Sequence, residues 1–126
     1  MTRLLLVIVV LMMNTIAVQA ENIGKITYKE ACSRCHAPQL AMALKAPAAF
    51  DKKAWNIRFK EAAVESDNNP EQFKTPMDYF LYNVKIGKGL MHHKGLCKES
   101  GLPDKYCTDE ALTQAILYMS KNDHET

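Results

Sequence analysis

The chain has 126 residues, with 16 lysines and arginines against 14 aspartates and glutamates. That length suits one domain. A formal net charge of +2 is too small to point to nucleic acid or to an acidic membrane surface as a partner.

Residues 1–20 read as an export signal. Arg3 supplies the charged start, Leu4 to Met13 is an unbroken apolar run, and Val18-Gln19-Ala20 is a small-residue cleavage site. The apolar run falls short of the roughly 20 residues that a membrane span needs. Cleavage after Ala20 leaves one domain, 21–126, with 15 cations against 14 acids and a net charge of +1. Retention of the signal would instead anchor the chain to a membrane. Export, to a periplasm in a bacterium, places the four cysteines in an oxidising compartment, where even numbers usually mean disulfides.

The mature sequence is helical in pattern and shows no convincing strand. Thr27-Tyr28-Lys29-Glu30 fits a capping box, which predicts a first helix with Thr27 as N-cap. Helical spacing puts Tyr28, Ala31, Cys32 and Cys35 on one face, and Ala37-Pro38 ends the helix. This helix carries Cys32-Ser33-Arg34-Cys35-His36, the C-x-x-C-H pattern of c-type haem attachment. Two thiols must add to the two vinyl groups on one porphyrin edge, and an imidazole must reach the iron from the same side. Residues three and four apart share a side of a helix, so Cys32, Cys35 and His36 meet that demand. The competing chemistries for such a cysteine pair are a disulfide, a zinc half-site and a thioredoxin-type centre. The last expects a βαβ pattern, and none is visible.

Residues 39–49 are apolar but contain Pro47, and read mostly as loop with one helical turn. Asp51 caps a second helix over about 52–64, with Trp55, Phe59 and Ala62 as its apolar stripe. Residues 65–74 read as a polar loop. Thr75-Pro76-Met77-Asp78 combines a capping hydroxyl, proline at N1 and an acid in the first turn; Met77, Phe80, Leu81 and Val84 form the buried face and Gly87 the C-cap. Residues 87–106 read as a loop rich in Gly, His and Lys. With Cys32 and Cys35 assigned to haem, Cys97 and Cys107 are left as the natural disulfide, a loop closure worth about 3 kcal/mol in the chain-entropy model. Thr108 caps the last helix, whose stripe is Leu112, Ala115, Ile116 and Met119. The expected fold class is therefore all-α, about four helices.

In this order the motifs resemble a class I c-type cytochrome, most similar to the bacterial cytochrome c5 group. The likeness is carried by Cys32-Ser33-Arg34-Cys35-His36, by Ala46-Pro47 followed by Asp51-Lys52-Lys53-Ala54-Trp55, by Met91 within Gly87-Lys88-Gly89-Leu90-Met91-His92-His93-Lys94-Gly95, and by Cys97 and Cys107 ahead of Thr108-Asp109-Glu110-Ala111-Leu112. The resemblance implies one covalently attached haem c in a small monohaem fold. Cys32 and Cys35 would form its thioethers, His36 would be the proximal iron ligand and Met91 the distal one. Pro47 would offer a backbone carbonyl to the His36 ring, and Trp55 would pack near the haem propionates. Cys97 and Cys107 would form a disulfide. The first and last helices would cross at a small-residue contact, with Ala31 as the candidate.

Three departures stand out. His92-His93 follows Met91 where the group usually has two prolines, nine residues separate Cys97 from Cys107, and there is extra sequence around 66–74. His92 or His93 is accordingly the alternative distal ligand, and a solvated histidine near the haem edge could titrate near neutrality. Lys85, Lys88, Lys94 and Lys98 flank the methionine loop as a positive rim for acidic redox partners. The resulting expectation is a periplasmic one-electron carrier with no enzymatic activity. The alternatives are a haem enzyme or gas sensor with a labile distal ligand, and a thiol or zinc protein without haem.

Overall fold

Three local capping signals decide where the main helices begin. A computed structural model describes residue 19 and residues 22–89, 91, 95–99 and 101–122, without the side chains of residues 98 and 99. The apolar run Leu4 to Met13, His92, His93, Lys94 and the Lys98 side chain lie outside the described residues. Asp51 Oδ1 accepts from the Ala54 N–H at 3.0 Å and opens a helix over Lys52–Asn68. Thr75 and Asp78 form a full capping box, with Pro76 at N1, for a helix over Pro76–Ile86. The Thr108 hydroxyl accepts from the Ala111 N–H at 3.1 Å and opens Asp109–Met119.

In chain order the elements are α1 (22–36), α2 (Pro38–Leu44), α3 (Lys52–Asn68), α4 (Pro76–Ile86), α5 (Leu96–Glu99), a 3-10 turn at Asp104–Tyr106 and α6 (Asp109–Met119). Among the described residues there is no strand, only an isolated bridge between Lys88 and Met91. The fold is all-α. No helix among the described residues is long and apolar enough to cross a membrane.

The expected N-cap at Thr27 does not form. α1 is already helical at residue 22, and Thr27 sits inside it with φ −62° and ψ −42°. Its side chain is fully buried and Oγ1 has no hydrogen-bond partner. Tertiary contact overrides the local signal: α1 lies so close to α6 at Gly24 that a Cβ there would fall 2.5 Å from the Gln114 carbonyl oxygen. The tight helix contact is thus at Gly24, whereas Ala31 packs against Val84, Leu96 and Leu112. Past Thr27 the helix widens to a π-turn over Tyr28–Cys32, with the Ser33 N–H donating to Tyr28 O.

Three loops are more helical than their sequences suggest, the third being 87–106, which holds α5 and the 3-10 turn. α2 runs seven residues because Pro38 occupies N1 and Ala41 is fully buried, while Pro47 lies beyond its end and cannot break it. Lys45, left-handed at φ 53°, closes it. α3 continues four residues past Val64, since Ser66 extends the buried stripe of Trp55 and Ala62. The following segment is not wholly polar surface: Phe73 is buried and meets Tyr79 and Tyr82 edge-on at 5.3 and 5.4 Å.

Buried residues form two clusters. One joins Ala49, Trp55, Ile116 and Met119; the other joins Val84, Leu96 and Leu112. α6 contributes to both, so its seating on α1 governs the pair. Gly24→Val should therefore cost about 1–3 kcal/mol of stability through overpacking, read as a lower urea midpoint with an unchanged helical far-ultraviolet spectrum.

Candidate functional site

The Cys32–His36 segment ends α1 because Ala37, preceding a proline, is extended at ψ 139°. The chain then turns through α2 and returns as Ala46-Pro47-Ala48-Ala49-Phe50 alongside His36. This strap is tied residue by residue. Pro47 O lies 2.8 Å from His36 Nδ1, and Ala48 O accepts from the Trp55 indole at 2.9 Å. The Ala49 N–H donates to His36 O and the Phe50 N–H to Met119 O, each at 2.7 Å. Phe50 is held at φ 70°, a left-handed conformation that bulky residues rarely adopt. Its ring is gripped edge-on by Tyr28 at 5.9 Å and by Tyr118 at 5.3 Å.

A carbonyl only accepts, so the His36 nitrogen facing Pro47 must carry the proton. That fixes the tautomer and leaves Nε2 as the free lone pair of the ring. His36 is buried, and burial lowers its pKa from the ordinary 6.5, with the Pro47 bond opposing the shift. The imidazole is thus held neutral, the form that binds metals.

Cys32, Cys35, His36, Pro47, Trp55 and Met91 all line one cavity of about 390 Å³. That volume lies within the roughly 300–1,000 Å³ typical of small-molecule and cofactor pockets. Its walls draw on both buried clusters: Trp55, Ile116 and Met119 from one, Val84, Leu96 and Leu112 from the other. Met119, expected as plain core, is both core and wall.

Cys32 and Cys35 are not paired with each other. The Cys32 thiol is turned inward, and burial, reinforced by the neighbouring Cys35, pushes it up to about 12. Such a thiol is protonated at neutral pH, unlike the activated thiolates of redox centres. Among the described residues, no three His, Cys, Asp or Glu side chains converge as a metal site.

Met91 sits in a turn closed by its N–H to Lys88 O at 3.1 Å, with Gly89 at φ 62°. It packs against Val84, Leu96 and Leu112. Beyond it, Gly95 (φ 86°) is pressed onto the end of α4, where a Cβ would lie 1.6 Å from Lys85 O. Cys97 and Cys107 stand at disulfide distance, Cα–Cα 5.8 Å, joining α5 to the segment before α6.

Of the expected lysine rim, the side chains of Lys85 and Lys88 are described. Lys85 is ion-paired with Asp109 across α4 and α6. Lys88 lines the cavity, donating to the Tyr79 hydroxyl and standing 4.8 Å over that ring. Sequence reasoning missed Lys45 and Arg58, which also line the cavity, Arg58 with Glu61 at 2.8 Å. Arg58 lies three residues after Trp55, a helical spacing that could have placed it on the same side.

No protein-family model matches the chain, and searches of curated proteins and of solved structures find no similar protein. The likeness to cytochromes c therefore stands on the motifs alone.

The neutral state of His36 sets a pH dependence. Its folded pKa lies below 6.5, so as pH falls through that value the unfolded chain takes up the proton first and the fold loses stability. In the haem-free chain, urea midpoints should thus decline as pH falls through 6.5, and His36→Leu should flatten that slope.

Proposed function

We propose that this chain is an exported one-electron carrier built around one covalently attached haem c with His/Met ligation. The observation that carries the reading is the convergence of Cys32, Cys35, His36 and Met91 on a single, largely apolar cavity. When bound, the haem supplies an iron that exchanges one electron between ferrous and ferric states, at a potential raised by a sulfur ligand. Cys32 and Cys35 hold it through thioethers. His36 offers Nε2, in the tautomer fixed by Pro47, and Met91 offers its sulfur from the turn after α4.

The remaining walls keep water out. Trp55, Leu112, Ile116 and Met119 are each at most 4 % exposed, and such surroundings disfavour added charge on the metal, pushing the potential up again. With both His36 and Met91 on the metal, no position would be left for a substrate, which argues for transfer rather than catalysis. Redox partners would meet the cavity mouth near Lys45 and Lys88, where weak, brief docking is the norm. The raised pKa of the buried Cys32 thiol counts against the thiol-redox alternative.

The test is an oxidised and reduced visible spectrum of protein made by a host with working haem-attachment machinery. A c-type spectrum with the far-red sulfur-to-ferric-iron band is the expected result. A c-type spectrum lacking that band would overturn methionine ligation, moving the ligand to His92 or His93 or leaving the position open for an enzyme or gas sensor. A colourless product would overturn the haem reading entirely.

The disulfide-distance pair next to α5 gives a second check. Replacing Cys97 and Cys107 together by serine should weaken the far-red band while leaving covalent haem in place, because Cys32 and Cys35 lie on a different element. An unchanged band would show that the pair does not hold the Met91 turn.

A further inference from the structure

We propose that Trp55 is a positioning residue for His36: by holding the Ala48 carbonyl, its indole N–H keeps the Pro47 carbonyl aimed at His36 Nδ1. The inference rests on the reading of His36 as the iron ligand. Resemblance alone would put Trp55 beside the haem propionates. An indole has one donor and no acceptor, however, and here that donor is given to Ala48 O at 2.9 Å. The ring lies with its centroid 5.8 Å from the His36 imidazole, tilted by 34°.

The mechanism follows from which backbone rotations are left. The peptide plane between Ala48 and Ala49 is fixed at both ends, Ala48 O by the Trp55 indole and the Ala49 N–H by His36 O. On the other side, the proline ring locks φ of Pro47. Three rotations, ψ of Pro47 and φ and ψ of Ala48, are left between these two anchors to set the direction of the Pro47 carbonyl. Without the indole N–H, the plane is held at one end, and the carbonyl is free to swing away from Nδ1. A hydrogen bond accepted from the ring N–H makes a ligating imidazole a stronger donor. That favours the ferric state, so losing it raises the reduction potential.

The test uses the haem-loaded protein and the variant Trp55→Phe, which keeps an aromatic ring and loses the donor. Covalent haem and the far-red band should persist, while the midpoint potential rises. The His36 Nδ1 proton should exchange with solvent about tenfold faster, equivalent to about 1.4 kcal/mol. Tyr82→Leu, which trims the Phe73–Tyr82 ring contact and lies outside the cavity lining, should leave both readouts at wild-type values. Wild-type potential and exchange in Trp55→Phe would overturn the proposal, as would equal changes in Tyr82→Leu. Should Trp55→Phe fail to mature, the wild-type protein decides. Trp55 is the sole tryptophan, so its indole proton gives one resonance. That proton and the His36 Nδ1 proton should show the same opening free energy as denaturant rises. An indole proton that exchanges as if unprotected overturns the proposal. A colourless wild-type product would overturn the haem reading and this inference together, and would be seen before either proton is measured.

Discussion

The hydrogen bond from His36 Nδ1–H to Pro47 O is the contact on which the rest of the architecture depends. It selects the tautomer, orients the ring and joins the end of α1 to a segment that has no regular structure of its own. A buried imidazole with both nitrogens unpaired would be costly, since an unsatisfied buried donor forfeits about 1–3 kcal/mol. The residues after Pro47 extend the same logic. Each turns a backbone group toward a different helix: Ala48 to α3, Ala49 to α1 and Phe50 to α6. The strap thereby sets the relative placement of three helices, and Asp51, the residue after it, caps one of them. The left-handed Phe50 is tolerated because two tyrosine rings and the bond to Met119 over-determine it.

The cavity explains why the apolar residues fall into two clusters. Ala49, Trp55, Ile116 and Met119 form one wall, and Val84, Leu96 and Leu112 another. Leu112 and Ile116 are one helical turn apart on α6 and serve different clusters, so a single helix spans the gap. A domain of about a hundred residues buries a modest fraction of its surface. In the proposed function, a flat apolar group covalently held between the walls would unite them into one core. Binding and folding would then draw on the same side chains.

The sequence made the caps at Asp51, Thr75 and Thr108 legible because each is a contact between neighbours in the chain. The same reasoning failed at Thr27, where the signal was equally good but the backbone contact at Gly24 with Gln114 governs the helix. Pro47 reads as a helix breaker for residues 39–49, yet α2 ends before reaching it. For the site, spacing alone brought Cys32, Cys35 and His36 together, and the resemblance supplied Pro47, Trp55 and Met91 as neighbours. What no local pattern could give was the partner of the Trp55 indole, since Ala48 offers only its backbone and any residue type could do the same. Lys45 was invisible for the opposite reason: an exposed cation at a helix end is ordinary, and only the cavity marks it; Arg58 was legible only as a helical neighbour of Trp55.

The two sides of the cavity are held by different kinds of constraint. On the His36 side the hold is a series of hydrogen bonds between 2.7 and 2.9 Å, each individually reversible and all made by a strap with a buried centre at Ala49. On the Met91 side the hold is steric and covalent. A tight turn closes at Lys88, Gly95 admits no side chain against α4, Leu96 is buried, and Cys97 stands at disulfide distance from Cys107. Steric and covalent anchors fix where a segment lies but not the direction of a flexible side chain such as methionine, which has three rotatable bonds. Directional hydrogen bonds do fix a planar ring. In the proposed function, a carrier that changes little on gaining or losing an electron would need the imidazole plane set and the sulfur kept within reach, and the two kinds of constraint would suit those two needs.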